Sequence, residues 1–223
     1  MTSRYALYDI AKLSKHFHLA EGLPKGIRPH YNYSPTMDAP VILNEDGARI
    51  IKRMKWGLVA KGSKDFSSVF RYKTYNVPSD KIFSKHSWRQ SVLTNRCLIP
   101  ANGFYDLQGS SKALTYFVEP EDKALLAFAG VHSSWEDPEG VVHGTFSIIT
   151  TDANHDMPSS SSRMPIIISR EDEARWLDPA VSSISPLYDM LRQYPNGLLS
   201  AREVSSAVRS IKANQPSLIE PIA

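Results

Sequence analysis

The segment between residues 96 and 168 limits most strongly what this chain can fold into. It contains five runs rich in apolar, β-branched and aromatic residues: RCLIPANGFYDL, ALTYFVE, ALLAFAGVHSSW, VVHGTFSIITT and MPIIIS. The first four are separated by the short turn-forming links QGSSK, PEDK and EDPEG. Successive strands with short links are typical of an antiparallel sheet or barrel, whereas βαβ units place a helix between their strands. The segment therefore predicts a sheet of consecutive strands.

The first sixty residues predict a strand, a helix and a hairpin. RYALY predicts a short strand. DIAKLSKHF predicts an amphipathic helix that begins at Asp9, because Ile10, Leu13 and Phe17 share one helical face. VILNEDGARIIKRMKWGLV predicts two strands joined by a turn at residues 44–47.

Three further segments predict helices outside the sheet. PSDKIFSKHSWRQSVL follows helix-start signals at residues 78–80. Ser169 with Asp172 resembles a capping box in front of REDEARWL, and Ser185 with Pro186 opens SPLYDMLRQY. No repeat and no linker is visible, so we expect one α+β domain over residues 1–223, with a sheet-rich core and peripheral helices.

The charge balance permits a polyanionic partner without requiring one. Lysine and arginine number 26 against 23 acidic residues, a net charge of +3. The basic residues cluster between positions 49 and 89, where Trp, Tyr and Phe are interleaved with them: Arg49, Lys52, Arg53, Lys55, Lys61, Lys64, Arg71, Lys73, Lys81, Lys85 and Arg89. This mixture suits a surface that binds single-stranded nucleic acid, and a solvated face explains it equally well.

The single Cys97 excludes a disulfide framework or a cysteine-based metal site within the chain, and its apolar surroundings predict a buried thiol. An intracellular, reducing compartment fits this cysteine usage. We expect no transmembrane helix and no signal peptide, because neither a long apolar stretch nor a charged-then-apolar leader is present. The seven histidines are scattered without ligand spacing, so we expect no metal and no other cofactor.

The second residue, Thr2, is small enough for removal of Met1. A free α-amine titrates near pH ~8, so part of it is neutral at physiological pH and able to attack a carbonyl. The Thr2 hydroxyl offers a second nucleophile, activated by that amine. The alternative is that Thr2 is merely the residue after the start.

Several segments, in the same order and over nearly the whole chain, resemble the SRAP family, the SOS-response-associated peptidases or abasic-site processing proteins. The matching segments are TSRY, YNYSP (31–35), KWGLVA (55–60), Asn76, RCLIPANGFYDL (96–107), FSIITTDAN (146–154), RMPIII (163–168) and VSSAV through IEP. The resemblance implies a single α+β SRAP-like domain with an antiparallel β-barrel-like core. It also implies binding of single-stranded DNA and a covalent adduct with abasic sites.

The chain departs from the family at four positions. The family's mature N-terminal residue is a cysteine whose amine and thiol form a thiazolidine with the abasic aldehyde, and Thr2 stands here instead. Asp106 replaces a glutamate and Ser161 a histidine, while Pro78 takes the place of an arginine two residues after Asn76. A hydroxyl is a poorer nucleophile than a thiol and cannot replace a titrating imidazole, so we expect a weak, reversible adduct at most.

The resemblance assigns the candidate site residues. The catalytic candidates are Thr2, Asn76, Asp106 and Ser161. The DNA-binding candidates are Arg4, Asn32, Pro35, Trp56, Lys81 and Arg163. Expected partners are single-stranded DNA and abasic-site DNA, with no membrane, for a monomer located in the cytoplasm and nucleoid or in the nucleus.

Three functions remain as hypotheses. The leading one is a divergent SRAP protein that binds single-stranded DNA at abasic sites, with impaired or reversible crosslinking. The second is an amidohydrolase or autopeptidase in which Thr2 attacks an amide and Asn76 holds the oxyanion. The third is a non-catalytic DNA-binding module in which the serine run at 159–162 is simply a polar loop.

Overall fold

The computed structural model describes residues 3–59, 62–84, 86–107 and 114–222. The strands in these ranges are β1 Tyr5–Leu7, β2 His30–Tyr33, β3 Asp38–Glu45, β4 Ala48–Trp56, β5 Asn76–Pro78, β6 Arg96–Ala101, β7 Gly103–Leu107, β8 Thr115–Pro120, β9 Leu126–Glu136, β10 Val142–Asp152, β11 Arg163–Pro165 and β12 Leu199–Glu203. The helices are α1 Leu13–Phe17, α2 Ser67–Tyr72, α3 Ser79–Ile82, α4 His86–Thr94, α5 Glu173–Leu177 and α6 Ile184–Met190. Single 3-10 turns cover Ile10–Lys12, Ser206–Arg209 and Pro216–Ile219.

Five strands close into a barrel in the order β10, β4, β3, β6 and β9, because β9 pairs back onto β10. Strand direction cannot alternate all the way round a ring with an odd number of strands. One neighbouring pair must therefore run parallel, and β4 with β10 is that pair. The α+β prediction with a barrel-like core is confirmed. The other four neighbouring pairs of the ring are antiparallel, as predicted.

A second sheet has the order β12-β8-β7-β1-β2 and carries the N-terminal strand between β7 and β2. The run RCLIPANGFYDL supplies one strand to each sheet, β6 and β7, and Asn102 lies at the change. The Asn102 backbone N–H donates to Ala6 O (2.8 Å), and its side-chain oxygen accepts from the N–H groups of Tyr8 and Asp9. These bonds fasten β7 beside the first residues of the chain.

The predicted hairpin between β3 and β4 is confirmed. Its pairing runs from Asp38–Lys55 to Glu45–Ala48. Asp46 and Gly47 in the turn both have positive φ, of 51° and 82°, which is the backbone of a two-residue type I′ turn. The Asn44 side chain also accepts from Gly47 N–H (3.0 Å).

The predicted helices are present with different bounds. PSDKIFSKHSWRQSVL forms α3 and α4 rather than one helix. DIAKLSKHF begins with a 3-10 turn before α1, and Asp9 makes no capping bond but pairs with Lys12 (2.6 Å). The Ser169–Asp172 pair is confirmed, since the Ser169 hydroxyl bonds the Asp172 carboxylate and accepts from its N–H.

The barrel interior is filled by aromatic and aliphatic side chains. Tyr5 from the second sheet packs edge-on against Trp56 and Phe128, and Phe128 in turn contacts Phe104. Cys97 is buried as predicted, and burial raises the pKa of its thiol. Within the described ranges, no helix is long and apolar enough to cross a membrane.

Gly130 on β9 tests how tightly the barrel is packed. A methyl group at this position would lie 2.3 Å from Ile99 Cδ1 and 2.9 Å from both Cys97 Sγ and the backbone oxygen of Ser147. Gly130→Ala should lower the free energy of unfolding by about 1–3 kcal/mol, measured by chemical denaturation. Gly22→Ala is the matched control, because nothing lies within 4 Å of its added methyl group. Equal stability of the two variants would contradict the packing described here.

Candidate functional site

Asp106 and Ser161 meet although 55 residues separate them in the chain. Asp106 lies on β7 in the second sheet and is buried. Ser161 lies in the segment between β10 and β11, where its N–H donates to Pro158 O (2.8 Å). The Ser161 hydroxyl donates to the Asp106 carboxylate. The structure therefore brings together two of the positions at which the chain departs from the family it resembles.

The N-terminal strand runs beside these two residues. Tyr5 pairs with Phe104, and Tyr105 N–H donates to Arg4 O (3.0 Å). Ser3 and Arg4 thus extend along β7 toward Asp106. Thr2, the predicted nucleophile, lies outside the described residues.

Asn76 opens β5, is 5% exposed, and pairs with Ile148 in the middle of β10. The Trp56 indole N–H donates to Tyr75 O (2.7 Å), which fixes the backbone immediately before Asn76. Trp56 itself is fully buried and stacks on Phe146 at 6.3 Å. A DNA base cannot reach this ring without rearrangement. The position of Trp56 therefore favours a structural role, in which it holds the backbone next to Asn76. Its predicted contact with DNA stays a prediction.

Arg163 lies on β11 at the end of β10. Its guanidinium donates to the Thr150 carbonyl (2.7 Å) and hydroxyl (3.2 Å), and it pairs with Asp152 at 3.1 Å and Asp80 at 3.6 Å. Lys81 is exposed on α3, next to Asp80. The structure brings these two predicted DNA contacts to one end of β10, and a phosphate would compete there with two carboxylates.

Asn32 and Pro35 are both buried. The Asn32 side-chain amide lies within 2.9–3.0 Å of three backbone oxygens in the C-terminal segment, those of Val208, Ser210 and Ala213. Asn32 thus holds that segment against β2. Its predicted contact with DNA is untested, and its geometry favours an indirect contribution.

Thr36 comes directly after Pro35 and has a φ of 74°. A β-branched residue rarely adopts this left-handed backbone, which costs on the order of 1–3 kcal/mol. The Thr36 N–H donates to Trp56 O (2.7 Å), so the strained residue is held against the strand that supports Asn76. Strain of this kind collects at functional sites.

The basic residues of β4 are engaged in ion pairs. Arg49 pairs with Glu173, Lys52 with Glu45, and both Arg53 and Lys55 with Asp38. The solvated-face explanation therefore describes this strand well. Lys61 and Lys85 of the predicted cluster lie outside the described residues.

Helix α2 differs from β4, because its aromatic and basic side chains face solvent together. Phe70 is 57% and Tyr72 64% exposed, and Arg71 and Lys73 beside them are also exposed. Exposed aromatic rings flanked by basic side chains can stack on bases and contact phosphates at the same time. The "FRYK surface", residues 70–73, is the part of the predicted cluster that fits stacking on nucleic acid.

Arg4 lies against the backbone of Arg209, a contact that the sequence did not reveal. Its guanidinium donates to Ser3 O (2.8 Å) and Arg209 O (3.4 Å), while its Nε is buried with no hydrogen-bond partner among the described residues. Burial lowers the pKa of Arg4. Arg209 was missed by sequence reasoning, although it directly follows the matching segment VSSAV.

Among the residues that the structure describes, no three His, Cys, Asp or Glu side chains group in a way that could hold a metal ion. The chemistry assembled here consists of a carboxylate, a hydroxyl, an amide and guanidinium groups.

The Ser161–Asp106 bond should contribute measurably to stability. A hydrogen bond to a charged group is worth about 1.5–3 kcal/mol, so Ser161→Ala should lower the free energy of unfolding by roughly that amount. Ser160→Ala is the matched control, because Ser160 belongs to the same serine run and is exposed. Combining Ser161→Ala with Asp106→Asn should cost less than the sum of the single changes. Full additivity would show that the two side chains do not interact.

Known proteins resemble this chain over most of its length. The family model described as SOS response associated peptidase (SRAP) matches residues 1–211. Abasic site processing protein YoqW of Bacillus subtilis is 32% identical over 99% of both chains. Abasic site processing protein HMCES of Gallus gallus is 30% identical over 87% of this chain and 67% of its own.

Solved structures share the fold. A crystal structure of a Bacteroides thetaiotaomicron protein superposes with a TM-score of 0.82 at 23% identity, covering 100% of this chain and 98% of its own. A phage-related protein of Bordetella bronchiseptica gives a TM-score of 0.69 at 24% identity, over 91% and 93% of the two chains. The family match covers nearly the whole sequence, and the structural matches extend over the same barrel and second sheet. The chain belongs to the SRAP family, the SOS response associated peptidases.

Proposed function

We propose that the protein binds single-stranded DNA at abasic sites and attaches to them reversibly through the α-amine of Thr2. The observation that carries this proposal is the Ser161–Asp106 hydrogen bond beside the N-terminal strand. It supports the proposal because Arg4, two residues after Thr2, lies along β7 beside Tyr105, the neighbour of Asp106. The names of the relatives, abasic site processing proteins, support the substrate.

The covalent step is formation of a Schiff base. After Met1 is removed, the neutral amine of Thr2 attacks the aldehyde carbon of the ring-opened abasic sugar. A carbon–nitrogen bond forms, and the carbonyl oxygen leaves as water with one proton from the amine and one from a general acid. A protonated imine remains, and it becomes neutral when it returns a proton to the general base. The resulting imine is hydrolysed by the reverse of the same steps, so the adduct is reversible.

Asp106 and Ser161 would move the protons of this step. A general acid or base acts within about 2.6–3.2 Å of the proton that it transfers. The Ser161 hydroxyl both donates and accepts, so it can relay a proton to and from Asp106, although it carries no charge of its own near neutral pH. The exchange of imidazole for hydroxyl should slow both formation and hydrolysis of the imine.

The Thr2 hydroxyl determines the fate of the imine. Attack by this hydroxyl would close an oxazolidine ring, where a cysteine thiol would close a thiazolidine. Because a neutral alcohol is a weaker nucleophile than a thiol, the oxazolidine should reopen more readily. The protein would therefore shield abasic sites without forming a permanent crosslink.

The FRYK surface, together with Lys81 and Arg163, would bind the DNA strand. Aromatic rings that stack on bases and basic groups that track the backbone are the usual means of holding single strands without sequence preference. Asn76 would orient the sugar from its fixed place at the start of β5. The protein would act as a monomer inside the cell, where its DNA substrate is found.

The exposed aromatics of α2 give a direct test of DNA binding. Phe70→Ala and Tyr72→Ala should each weaken binding of a single-stranded oligonucleotide by about tenfold, since stacking on one base is worth roughly 1–3 kcal/mol. Fluorescence anisotropy at several salt concentrations measures this, and the native affinity should fall as salt rises. Tyr188→Ala is the matched control, because Tyr188 is 63% exposed on α6. Equal losses in all three variants, or no binding by the native protein, would refute the proposal for this surface.

The residue exchanges make a second prediction. Thr2→Cys should convert the reversible adduct into one that survives heat and denaturant, because a thiol can close the thiazolidine. Adding Ser161→His and Asp106→Glu should make this product form faster, since both proton-transfer groups are then restored. Denaturing gels with abasic-site single-stranded DNA measure the crosslink.

The control for that experiment is a mass measurement showing that Met1 is absent. If neither the single nor the triple variant crosslinks with Met1 removed, the protein is a DNA-binding module without covalent chemistry. Cleavage of an amide substrate in the absence of DNA would instead favour the amidohydrolase hypothesis.

A further inference from the structure

The "Ser161 loop", residues 153–162, joins β10 to β11 and is closed at its neck. Ala153 N–H donates to Ser162 O (3.2 Å), and Ser161 N–H donates to Pro158 O (2.8 Å). Because both bonds lie within the loop, they set its shape. Its position against the second sheet, which carries Asp106, depends on other contacts.

Asp156 joins the Ser161 loop to the second sheet. Its carboxylate accepts three consecutive backbone N–H groups, those of Gly197 (2.8 Å), Leu198 (3.1 Å) and Leu199 (3.0 Å). Successive N–H groups that converge in this way form a concave anion site in the backbone, and here a carboxylate of the same chain fills it. Hydrogen bonds to an ionised acceptor are roughly twice as strong as bonds between neutral groups. We call this contact the Asp156 clamp.

Gly197 gives the backbone the conformation that the Asp156 clamp needs. Its φ is 81°, in the left-handed region that favours glycine. A methyl group at this position would have no atom within 4 Å, so a side chain here would strain the backbone without causing a collision. The neighbouring Asn196 side chain accepts from His155 N–H (3.1 Å), which fastens a second residue of the loop to the same segment.

Strand pairing connects the clamp to Asp106. Leu199 is the first residue of β12, which pairs with β8. β8 in turn pairs with β7, where Asp106 lies opposite Tyr116. The Ser161 loop is therefore attached to the sheet of Asp106 at the clamp as well as through the Ser161–Asp106 bond.

The two attachments differ in what the proposed reaction does to them. A proton that passes between the substrate and Asp106 by way of the Ser161 hydroxyl must reverse or open the Ser161–Asp106 bond. A bond that opens during the reaction cannot hold the loop throughout it. The Asp156 clamp carries no proton of the reaction, so it can keep the loop in place while that bond changes.

We propose that Asp156 is a positioning residue, which holds Ser161 within hydrogen-bonding distance of Asp106 while protons move to and from the bound aldehyde. The inference rests on the proposed function, and it adds Asp156 and Gly197 to the residues that serve it. Both act through the backbone of the loop rather than on DNA. Their loss should therefore slow the covalent step and leave DNA affinity unchanged.

The first test compares rate with affinity in protein shown to lack Met1. Asp156→Ala should slow the appearance of the borohydride-trapped adduct by about tenfold or more, since a displacement of about 1 Å can cost about a hundredfold. Its affinity for a single strand without an abasic site, measured by fluorescence anisotropy, should match that of the native protein. Asp122→Ala is the control, because the Asp122 carboxylate accepts a backbone N–H only two residues away, from Ala124 (3.0 Å).

A double variant shows whether Asp156 acts through Ser161. If it does, adding Ser161→Ala to Asp156→Ala should slow the adduct less than Ser161→Ala slows it in the native protein. Independent, multiplicative effects on the rate would overturn the inference. Should Asp156→Ala fail to fold, Asp156→Asn replaces it, because one oxygen is kept as an acceptor and the charge is lost.

The glycine of the clamp gives a second test that leaves Asp156 intact. Gly197→Ala and Gly47→Ala place the same methyl group at φ values of 81° and 82°, and neither methyl group has an atom within 4 Å. Thermal melting should show similar losses of stability, because the backbone strain is the same. Only Gly197→Ala should slow the adduct, since Gly47 lies in the β3–β4 turn.

The outcomes separate the inference from the proposed function. A native protein that forms the adduct as fast as Asp156→Ala or Gly197→Ala overturns the inference alone, and so does equal slowing by Gly197→Ala and Gly47→Ala. Loss of DNA affinity in proportion to the rate also overturns it, because Asp156 would then serve binding. Absence of any adduct in the native protein would refute the proposed function, and this inference with it.

Discussion

Closure of the five-stranded barrel on β10 is the constraint on which both the fold and the site depend. β10 pairs with β9 and β4 to complete the ring, and it also carries β5 and β11 beyond the ring. Asn76 on β5 and Arg163 on β11 are therefore held by the same strand. The segment that leaves β10 then carries Ser161 across to the second sheet. A change that opens the ring at β10 should disturb all three residues together.

The Ser161–Asp106 bond gives the residue exchanges a physical meaning. The resemblance matches a glutamate and a histidine of the family with Asp106 and Ser161, and these two shorter side chains meet in the structure. The carboxylate is retained with a donor directed at it, while the imidazole is lost. Under the proposed function, Asp106 and Ser161 would exchange protons with a bound aldehyde without an imidazole that titrates near neutral pH. A retained carboxylate and hydroxyl favour reversible attachment to abasic DNA over a DNA-binding module without covalent chemistry.

Local patterns predicted local structure well. The β3–β4 hairpin, the buried Cys97 and the Ser169–Asp172 pair depend on turn residues and apolar runs that lie close together in the chain. Ring closure could not be predicted from the sequence, because the β4–β10 pairing joins positions as distant as Lys55 and Thr145. Its parallel direction also follows from the odd number of strands in the ring, which no local pattern reveals. The contact between Arg4 and Arg209 was missed for the same reason, because these residues lie at opposite ends of the chain.

Burial was the second quantity that the sequence left open. Trp56 and Asn32 belong to segments typical of the family, and the resemblance suggested that they contact DNA. In the structure Trp56 bonds the backbone before Asn76, and Asn32 holds the backbone around Arg209. A sequence motif does not show whether a residue contacts the substrate or holds a neighbouring residue in position. The packing in the structure distinguishes the two roles.

Intact-mass spectrometry can decide whether native Thr2 attaches reversibly to abasic DNA. The protein, with Met1 shown to be absent, is incubated with abasic-site single-stranded DNA, and half of the sample is reduced with borohydride. A reversible Schiff base at Thr2 should give a DNA adduct that maps to Thr2 in the reduced half and unmodified protein in the half that is denatured without reduction. An adduct on a lysine, or no adduct after reduction, would contradict it.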